Sequence, residues 1–407
     1  MEKQINIFAD DVEKEAVNQF YQAMTLPCNV AGALMPDVHT GYTLPIGSVI
    51  KSKGKVFPSY VGYDIGCGVG SIKIDLLSKE LDKKALETIQ DEILKQIPVG
   101  INRHAIAQKW ENYKNGTNIA KDAFLNGGCK QLGTLGGGNH FLEVGKDEDN
   151  YIWITVHSGS RGFGYKIAEK YMELSAIENT EEERYAKEFE EKNKWRKYNP
   201  EKWEEAKKQF IYRRVRARLK TNLEGHYGLY INSTLGQNYI KDMNIALDFA
   251  LENRKIMLQK AKMAIEKVLN TKIKELLFVN RNHNHAELID NEYIIHRKGA
   301  THADKNLLGV IPGNMRDGCF IVKGKGYAPA LNSSSHGAGR VLSRKKAKDT
   351  LNYSNLKNEM SAIVNNITEA TLDEAPEAYK NIFEVMDAQK EMVDILYHIR
   401  PILNIKG

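Results

Sequence analysis

Short apolar runs alternate with glycine-rich turns in two separate parts of this 407-residue chain, and this alternation strongly constrains its fold. AGALMPDVHTGYTLPIGSVI and YVGYDIGCGVGSIKIDL occupy residues 31–50 and 60–76, while GVIPGNMRDGCFIV and APALNSSSHGAGRVLSR occupy residues 309–322 and 328–344. Apolar runs bounded by glycine and proline predict strands joined by tight turns. We therefore predict an α+β fold with a mixed β-sheet core flanked by helices, in which polar residues at the strand ends meet on one rim.

Helical patterns separate and follow these strand regions. Residues 81–96, 238–269 and 387–397 have the apolar spacing of helices. From residue 166 to 220 the chain is dense in Glu, Lys and Arg, and Trp195, Tyr198 and Trp203 lie among them. This segment predicts a charged insertion of two antiparallel helices. Because motif blocks lie on both sides of it, we predict one catalytic domain over residues 1–407 that contains a helical insertion at 166–220.

The charge of the chain is mildly positive, with 58 Lys and Arg against 52 Asp and Glu. This balance slightly favours anionic partners such as nucleic acid, although interspersed signs are also typical of an ordinary solvated surface. The insertion ends on the basic stretch YRRVRARLK at residues 212–220. An RNA-contacting face is one interpretation of that stretch, and a solvated helix face is the other.

Four widely spaced cysteines without a CxxC pair are typical of a reducing compartment with free thiols. The first 14 residues carry charges where a signal peptide would have an apolar core. The longest uncharged run, residues 16–36, is interrupted by polar residues and proline and cannot span a bilayer. We therefore predict a cytoplasmic protein without membrane association.

Potential metal ligands recur in the glycine-flanked and asparagine-flanked blocks. GYDIGCGVG brings a carboxylate and a thiol into one turn, and three histidine blocks add imidazoles, giving the set Asp64, Cys67, His140, His157 and His283. These side chains suffice for two metal ions with a bridging thiolate, and the mixed oxygen, nitrogen and sulfur set leaves positions open for substrate. The alternative is that Cys67 is a small buried apolar residue and that each histidine is only packed.

A phosphate-binding role is predicted for GTLGGGNH and SSSHGAGR, because glycine loops offer successive backbone N–H groups. The chain has no Walker motif, and no GxGxxG occurs in a dinucleotide-binding context. In the second block, His336 lies between hydroxyl groups and a glycine turn that Arg340 closes. A neutral imidazole there could attack a phosphorus atom, or it could only donate a hydrogen bond to phosphate.

Taken together, the blocks resemble the RtcB family of RNA-splicing and RNA-repair ligases. The resemblance is carried in family order by MPDVHTGYTLPIGSVI, GYDIGCGVG, LGTLGGGNHFLEV, VHSGSRG, NHNHAE, RKGA, IPG, SSSHGAGR and the terminal IKG. It covers essentially the whole chain outside the charged segment. It implies an enzyme that uses GTP and two Mn²⁺ ions to join RNA ending in a 3′-phosphate or 2′,3′-cyclic phosphate to RNA with a 5′-hydroxyl, in RNA repair or tRNA splicing.

The resemblance also implies roles for individual residues. Asp64, Cys67 and His140 would hold one Mn²⁺, and Cys67, His157 and His283 would hold the other. His336 would be the nucleophile that takes up GMP, with Asp37 as a nearby acid. The remaining implied residues bind nucleotide or RNA phosphate: Asn139, Glu143, Gly337, Ala338, Gly339, Tyr379 and Lys406 for the nucleotide, and Arg161 with Arg340 for phosphate.

Three departures from the family pattern mark a divergent branch. Asn314 and Arg316 in IPGNMRDG replace a small hydroxyl residue and a glycine beside the nucleotide, and His285 stands where an aromatic residue is common. His285 therefore competes with His283 as the ligand, and we favour His283. Two other functions remain open: a two-metal phosphoesterase or nuclease that forms no nucleotide adduct, and a non-catalytic RNA-binding protein.

Overall fold

The computed structural model describes residues 3–179, 182–222 and 225–407, with side chains described except at 182–184, 197, 215, 216 and 218–222. The strands of this part of the chain are β1 (Gln4–Ile7), β2 (Asn29–His39), β3 (Ile46–Lys53), β4 (Lys55–Val56), β5 (Gly68–Leu77), β6 (Phe141–Lys146), β7 (Tyr151–Ser158), β8 (Leu229–Tyr230), β9 (Glu275–Asn282), β10 (Asn284–Ile289), β11 (Tyr293–Lys298), β12 (Ala300–His302), β13 (Leu308–Pro312), β14 (Cys319–Gly324), β15 (Ser333–Ser335), β16 (Val364–Asn365) and β17 (Val393–Lys406).

The helices lie on the faces of the sheets and between the strands. They are α1 (Lys14–Thr25), α2 (Pro58–Val61), α3 (Lys83–Gln96), α4 (Asn118–Leu125), α5 (Arg161–Asn179), α6 (Glu182–Lys192), α7 (Pro200–Asn222), α8 (Thr234–Leu269), α9 (Arg344–Thr350), α10 (Tyr353–Glu359) and α11 (Ile382–Ala388). No described helix combines the length and the apolar character needed to cross a membrane.

Two sheets position the functional residues. The five-stranded sheet has the order β1-β2-β3-β11-β10, and the larger sheet has the order β13-β14-β17-β6-β7-β5-β9, with β16 pairing to β17. The larger sheet is antiparallel along that path, and its two edges approach each other because β13 packs beside β9. This mixed helix and sheet architecture confirms the predicted fold class.

Helix α8 packs across β5 and β7 and builds the main core. Its apolar positions recur every three or four residues, at Ala246, Phe249, Met257, Ala261 and Ile265, and each is buried. Each large apolar side chain removed from water in this way contributes about 1.5–3 kcal/mol. Ser233 starts the helix by accepting a hydrogen bond from the Gly236 backbone N–H at 3.0 Å.

The predicted helix at residues 387–397 is wrong, whereas those at 81–96 and 238–269 agree with α3 and α8. In the structure α11 ends at Ala388, and β17 begins at Val393 between β14 and β6. A strand with a neighbour on each side gains two ladders of backbone hydrogen bonds. Those ladders outweigh a local apolar spacing that fits a helix about as well.

The charged segment at 166–220 is helical but holds three helices. Residues of α5, including Ile167 and Tyr171, are buried in the same cluster as residues of α4 and α8. Beyond that, α6 and α7 pack on each other through Phe189, Trp203 and Phe210. The side chains of Arg216, Arg218 and Lys220, which were part of the predicted basic face, lie outside the described residues.

Candidate metal centre and adjoining cavity

The five predicted ligands meet at one end of the larger sheet. Strand β5 pairs with both β7 and β9, and Gly68 lies opposite Ser158 on one side and Asn282 on the other. This register places the residues next to those positions, Cys67, His157 and His283, at the same sheet end. Asp64 and His140 reach the same point from the turn before β5 and from the residue before β6.

The ligand atoms form two groups that share one sulfur. Asp64, Cys67 and His140 form one group and Cys67, His157 and His283 the other, with the ligand atoms of each group all within 4.8 Å of one another. The Cys67 Sγ lies 3.5 Å from His140 Nε2 and 3.3 Å from His157 Nε2. The Asp64 Oδ2 lies 3.2 Å from His140 Nε2, and the Nε2 atoms of His157 and His283 are 3.4 Å apart.

Backbone carbonyls fix the orientation of two imidazoles. The Nδ1 of His140 lies 2.9 Å from the Leu135 carbonyl oxygen, and that of His157 lies 3.2 Å from the Asn139 carbonyl oxygen. Because a carbonyl oxygen only accepts, each Nδ1 carries the proton and donates it. The Nε2 lone pairs therefore face the ligand groups, as in metal-binding histidines held by outer hydrogen bonds.

The charge states of these residues suit a divalent ion. Burial lowers the pKa of His157 and His283 well below the ordinary value, so both are neutral and able to ligate. Burial raises the pKa of the Cys67 thiol well above its usual range, and a bound cation would offset that cost by stabilising the thiolate. The buried Asp64 Oδ1 has no hydrogen-bond partner among the described residues. An orphaned carboxylate oxygen, a thiol and three imidazoles together fit a transition-metal centre.

A close backbone approach makes room for the Asp64 carboxylate. A Cβ atom built on Gly159 would lie 2.2 Å from Asp64 Oδ1. Any larger residue at position 159 would displace the carboxylate from the ligand group. This explains why VHSGSRG has a glycine two residues after the candidate ligand His157.

Two residues that the sequence prediction missed hold the ligand-bearing turns together. Arg254, fully buried on α8, donates to the carbonyls of Gly66 at 2.9 Å and Ser158 at 2.7 Å. It also donates to the side chain of Asn282 at 2.6 Å, next to His283. Its neighbour Asn253 accepts from the backbone of residue 133 at 2.6 Å, in the loop before His140. The only sequence signal was a polar pair at a core position of an amphipathic helix.

His336 lies beside this centre with its ring oriented by Asp37. The Nδ1 of His336 is 2.6 Å from Asp37 Oδ2, and the same oxygen accepts the backbone N–H of His336 at 3.0 Å. The centroids of the His336 and His283 rings are 4.9 Å apart. The carboxylate of Asp37 is completely buried, yet its pKa is lowered, because the interactions with His336 outweigh the effect of burial. Because Asp37 contacts Nδ1, the Nε2 atom of the His336 ring faces away from this carboxylate.

A cavity of about 570 Å³ adjoins His336 and is lined by all seven of the predicted nucleotide-binding residues. Its lining includes Asn139, Glu143, His157, Asn314, His336, Gly337, Ala338, Gly339, Arg340, Tyr379, Asn404 and Lys406. Gly339 has a φ of 75°, and a Cβ there would lie 2.2 Å from the Asp37 carbonyl oxygen, so the turn after His336 requires glycine. A cavity of this size accommodates a small-molecule ligand.

Glu374, which the sequence prediction missed, organises one wall of this cavity. It accepts from Lys406 at 3.2 Å, Arg340 at 3.1 Å and Arg344 at 2.6 Å, and also from the Tyr379 hydroxyl. Burial raises its pKa, but the surrounding cations outweigh that effect and lower the pKa to about 2. Glu374 is therefore ionised and holds in place three predicted residues.

Another part of the cavity lining, at Glu143 and Asn404, has hydrogen-bond acceptors that lack a donor in the described part of the chain. Glu143 Oε1 and Asn404 Oδ1 are buried and have no hydrogen-bond partner among the described residues. Burial raises the pKa of Glu143 to about 8. Buried acceptors of this kind are costly unless a ligand supplies donors.

The remaining predicted residues lie outside the cavity or use their donors within the protein. Arg161 lies beside the metal centre, with Nη1 3.3 Å from His140 Nδ1 and a buried Nε without a partner among the described residues. Arg340 lines the cavity, but it donates to Leu342, Asp373, Glu374 and Tyr379.

The three divergent residues have distinct surroundings. Asn314 lines the cavity and donates to Asp317 at 2.7 Å. Arg316 is half-exposed and forms ion pairs with Asp317 and Glu359. His285 lies outside both ligand groups, with Nε2 3.4 Å from Arg297 Nη1.

A candidate transition-metal centre, an oriented imidazole and a cavity with orphaned acceptors define a site suited to nucleotide and phosphate chemistry. The family model described as tRNA-splicing ligase RtcB matches residues 19–124 and 107–407. This chain therefore belongs to the RtcB family, as its motif blocks predicted.

Curated relatives match over nearly the full length of both chains. A protein named RNA-splicing ligase RtcB1, from Escherichia coli strain ATCC 25922, is 31% identical over 97% of this chain and 95% of its own. RNA-splicing ligase RtcB from Escherichia coli K12 is 30% identical with the same coverage. tRNA-splicing ligase RtcB from Nanoarchaeum equitans is 29% identical over 92% of this chain and 87% of its own.

Proposed function

We propose that this chain is an RNA ligase that uses GTP to join a 3′-phosphate or 2′,3′-cyclic phosphate end to a 5′-hydroxyl end through a histidine–GMP intermediate. Family membership supports the ligase class and the RNA substrate. The single observation that carries the finer proposal is the position of His336. Its ring is oriented by a buried carboxylate, lies next to the metal ligands and lines a nucleotide-sized cavity.

The first step follows from that orientation. Asp37 holds the Nδ1 proton of His336, so Nε2 attacks the α-phosphorus of GTP. A P–N bond forms, the bond to the β-phosphate oxygen breaks, and pyrophosphate leaves. Asp37 stabilises the positive charge that develops on the imidazole. Two Mn²⁺ ions, held by the two groups that share Cys67, would supply charge neutralisation at the phosphates when bound.

The next two steps transfer the activated phosphate. An oxygen of the RNA 3′-phosphate attacks the phosphorus of the GMP adduct, which frees His336 and leaves a good leaving group on the RNA. The 5′-hydroxyl oxygen then attacks the RNA phosphate, its proton is released to water, and GMP departs. A 2′,3′-cyclic phosphate is first hydrolysed by water to the 3′-phosphate. We assign nucleotide phosphate contacts to Asn139 and the backbone of residues 337–339, and an RNA phosphate contact to Arg161. Arg340 adds positive charge at the cavity wall.

The guanine base fits the wall that presents acceptors. Guanine has donors at N1 and at its 2-amino group, which the carboxylate of Glu143 would accept. Adenine lacks both donors. Tyr379 and Lys406, fixed by Glu374, complete this end of the cavity. The proposed orientation therefore places the base near Glu143 and the phosphates near His336.

GMP binding should become tighter as the pH rises towards about 8. Because its pKa is raised, Glu143 is protonated at lower pH. Glu143 must then lose this proton before its carboxylate can accept hydrogen bonds from guanine, which weakens GMP binding. Each pH unit below that pKa should weaken binding by up to about tenfold. Titration calorimetry with GMP at several pH values measures this slope. The Glu143→Gln variant should bind GMP more weakly, and its affinity should no longer depend on pH in this range. An unchanged pH dependence in this variant would show that Glu143 does not contact the base.

The RNA ends that react provide the direct test of function. With GTP and Mn²⁺, the protein should join an RNA with a 3′-phosphate to one with a 5′-hydroxyl, and it should not join a 3′-hydroxyl to a 5′-phosphate. Gel analysis of labelled strands measures both reactions. Removal of the phosphate without joining would instead support the two-metal phosphoesterase, and RNA binding that is unaffected by metal removal and occurs without reaction would support a non-catalytic protein.

We propose cleaved or broken tRNA as the RNA class, because two relatives are named for RNA or tRNA splicing. We also propose a cytoplasmic location, consistent with four described cysteines that are all free. For domain organisation, we propose one catalytic domain over 1–407 with the charged segment at 166–220 as its insertion. The burial of α5 residues together with residues of α4 and α8 supports the assignment of α6 and α7 as the peripheral part of that insertion.

A further inference from the structure

Helix α9 lies beside the cavity and carries basic side chains that have no role in the proposed reaction. Its first residue, Arg344, lines the cavity, and Lys345 and Lys346 follow directly. Both lysines are exposed, and neither has an ion-pair partner in the part of the chain that the structure describes. Asp349 is the only acidic residue of this helix. The cavity rim next to α9 is therefore positively charged.

Ion pairs hold helix α9 against the wall of the cavity. Arg344 and Lys348 pair with the buried Asp373 at 2.8 and 3.3 Å, which fixes α9 in place. The guanidinium of Arg344 also lies against the loop that precedes His140, since a Cβ built on Gly138 would be 3.0 Å from its Nη2. Arg344 therefore lies between the two exposed lysines that follow it in sequence and the loop that precedes His140.

The same cavity also has an exposed aromatic ring. Tyr42 lines it with 70% of its surface exposed, so its ring is accessible to a ligand. The acidic residue nearby on the lining, Glu13, is bonded to the Thr40 backbone at 3.2 Å. Exposed aromatic rings next to positive charge are typical of single-stranded nucleic-acid sites, where bases stack and phosphates meet cations.

We propose that Tyr42, Lys345 and Lys346 bind the single-stranded RNA whose 3′-phosphate end enters the cavity. Tyr42 stacks on a base near that end, and the two lysines contact backbone phosphates. This inference rests on the proposed ligase function and specifies which surface holds the substrate. It concerns the strand with the 3′-phosphate, because Tyr42 and Arg344, the residue before the two lysines, line the same cavity as His336.

The test measures RNA binding and self-guanylylation in the same full-length variants. Fluorescence anisotropy with a short RNA that ends in a 3′-phosphate gives the affinity and its salt dependence. Tyr42→Ala should weaken binding about 5- to 100-fold, and Tyr42→Phe should restore it, because the phenyl ring still stacks. The double variant Lys345→Gln, Lys346→Gln should lower the slope of log affinity against log salt by about 1.4.

A matched control is the double variant Lys83→Gln, Lys84→Gln on α3, which removes two exposed lysines that do not line the cavity. It should keep the wild-type affinity and slope. The Lys345→Gln, Lys346→Gln variant, whose altered residues do not line the cavity, should still take up GMP from labelled GTP. Equal loss of GMP uptake and RNA binding would assign the rim to the nucleotide and overturn the proposal, as would unchanged RNA affinity. Wild-type protein that neither takes up GMP nor joins RNA would instead refute the ligase function itself.

Discussion

Denatured His336→Ala protein is expected to carry no GMP after incubation with α-labelled GTP and Mn²⁺, whereas the wild-type chain is labelled. The reason is that Nε2 of this imidazole is the atom proposed to form the P–N bond. Asp37→Asn should be labelled about 10²- to 10⁴-fold more slowly, because it removes the buried negative charge that stabilises the imidazole during attack. Denaturing electrophoresis with a time course measures both variants.

His226→Ala serves as the control for this experiment, since His226 bonds Tyr60 at 3.0 Å and does not line the cavity. It should be labelled at the wild-type rate. Retention of label by His336→Ala would show that another residue is the nucleophile. Circular dichroism of each variant separates loss of labelling from loss of folding.

Cys67→Ala is expected to lose both metal ions together. Its sulfur belongs to both ligand groups, so its removal leaves each group with two ligands. Each ion should bind at least about 100-fold more weakly, since even changes to outer partners of metal ligands cost about 10- to 100-fold. Metal analysis after gel filtration in Mn²⁺ and in Zn²⁺ measures the number of ions retained per chain.

Cys28→Ala is the matched control, because Cys28 is a free thiol outside both ligand groups. It should retain as much metal as the wild-type protein. Retention of one ion by Cys67→Ala would show that the thiolate serves a single ion. Normal content of both ions would contradict the shared ligand altogether.

The grouping of the five candidate metal ligands was predictable because each lies in a short block with its own chemical signature. A carboxylate and a thiol in one glycine turn, and histidines next to glycine or asparagine, indicate a site without any knowledge of the fold. The choice of His283 over His285 agrees with the ligand groups of the structure. The adjacency of Asp37 and His336, which are 299 positions apart, came from the family resemblance and has a clear geometric basis in the structure.

The residues that hold the site together were not predictable in this way. Asn253 and Arg254 lie in an ordinary amphipathic helix, and Glu374 is one acid among many, so only their tertiary partners reveal what they do. The C-terminal strand was mistaken for a helix for the same reason. Its pairing with β14 and β6 depends on residues far away in sequence.

Arg254 donates hydrogen bonds to the backbone or side chains next to Cys67, His157 and His283, so binding of the proposed ions should depend on the packing of helix α8. An ion that binds the folded chain and not the unfolded chain stabilises the folded state. The free energy of unfolding should therefore rise with the logarithm of the free metal concentration. A substitution along α8 that displaces Arg254 should therefore lower the melting temperature as removal of the metal would, even where the substituted residue does not contact a ligand.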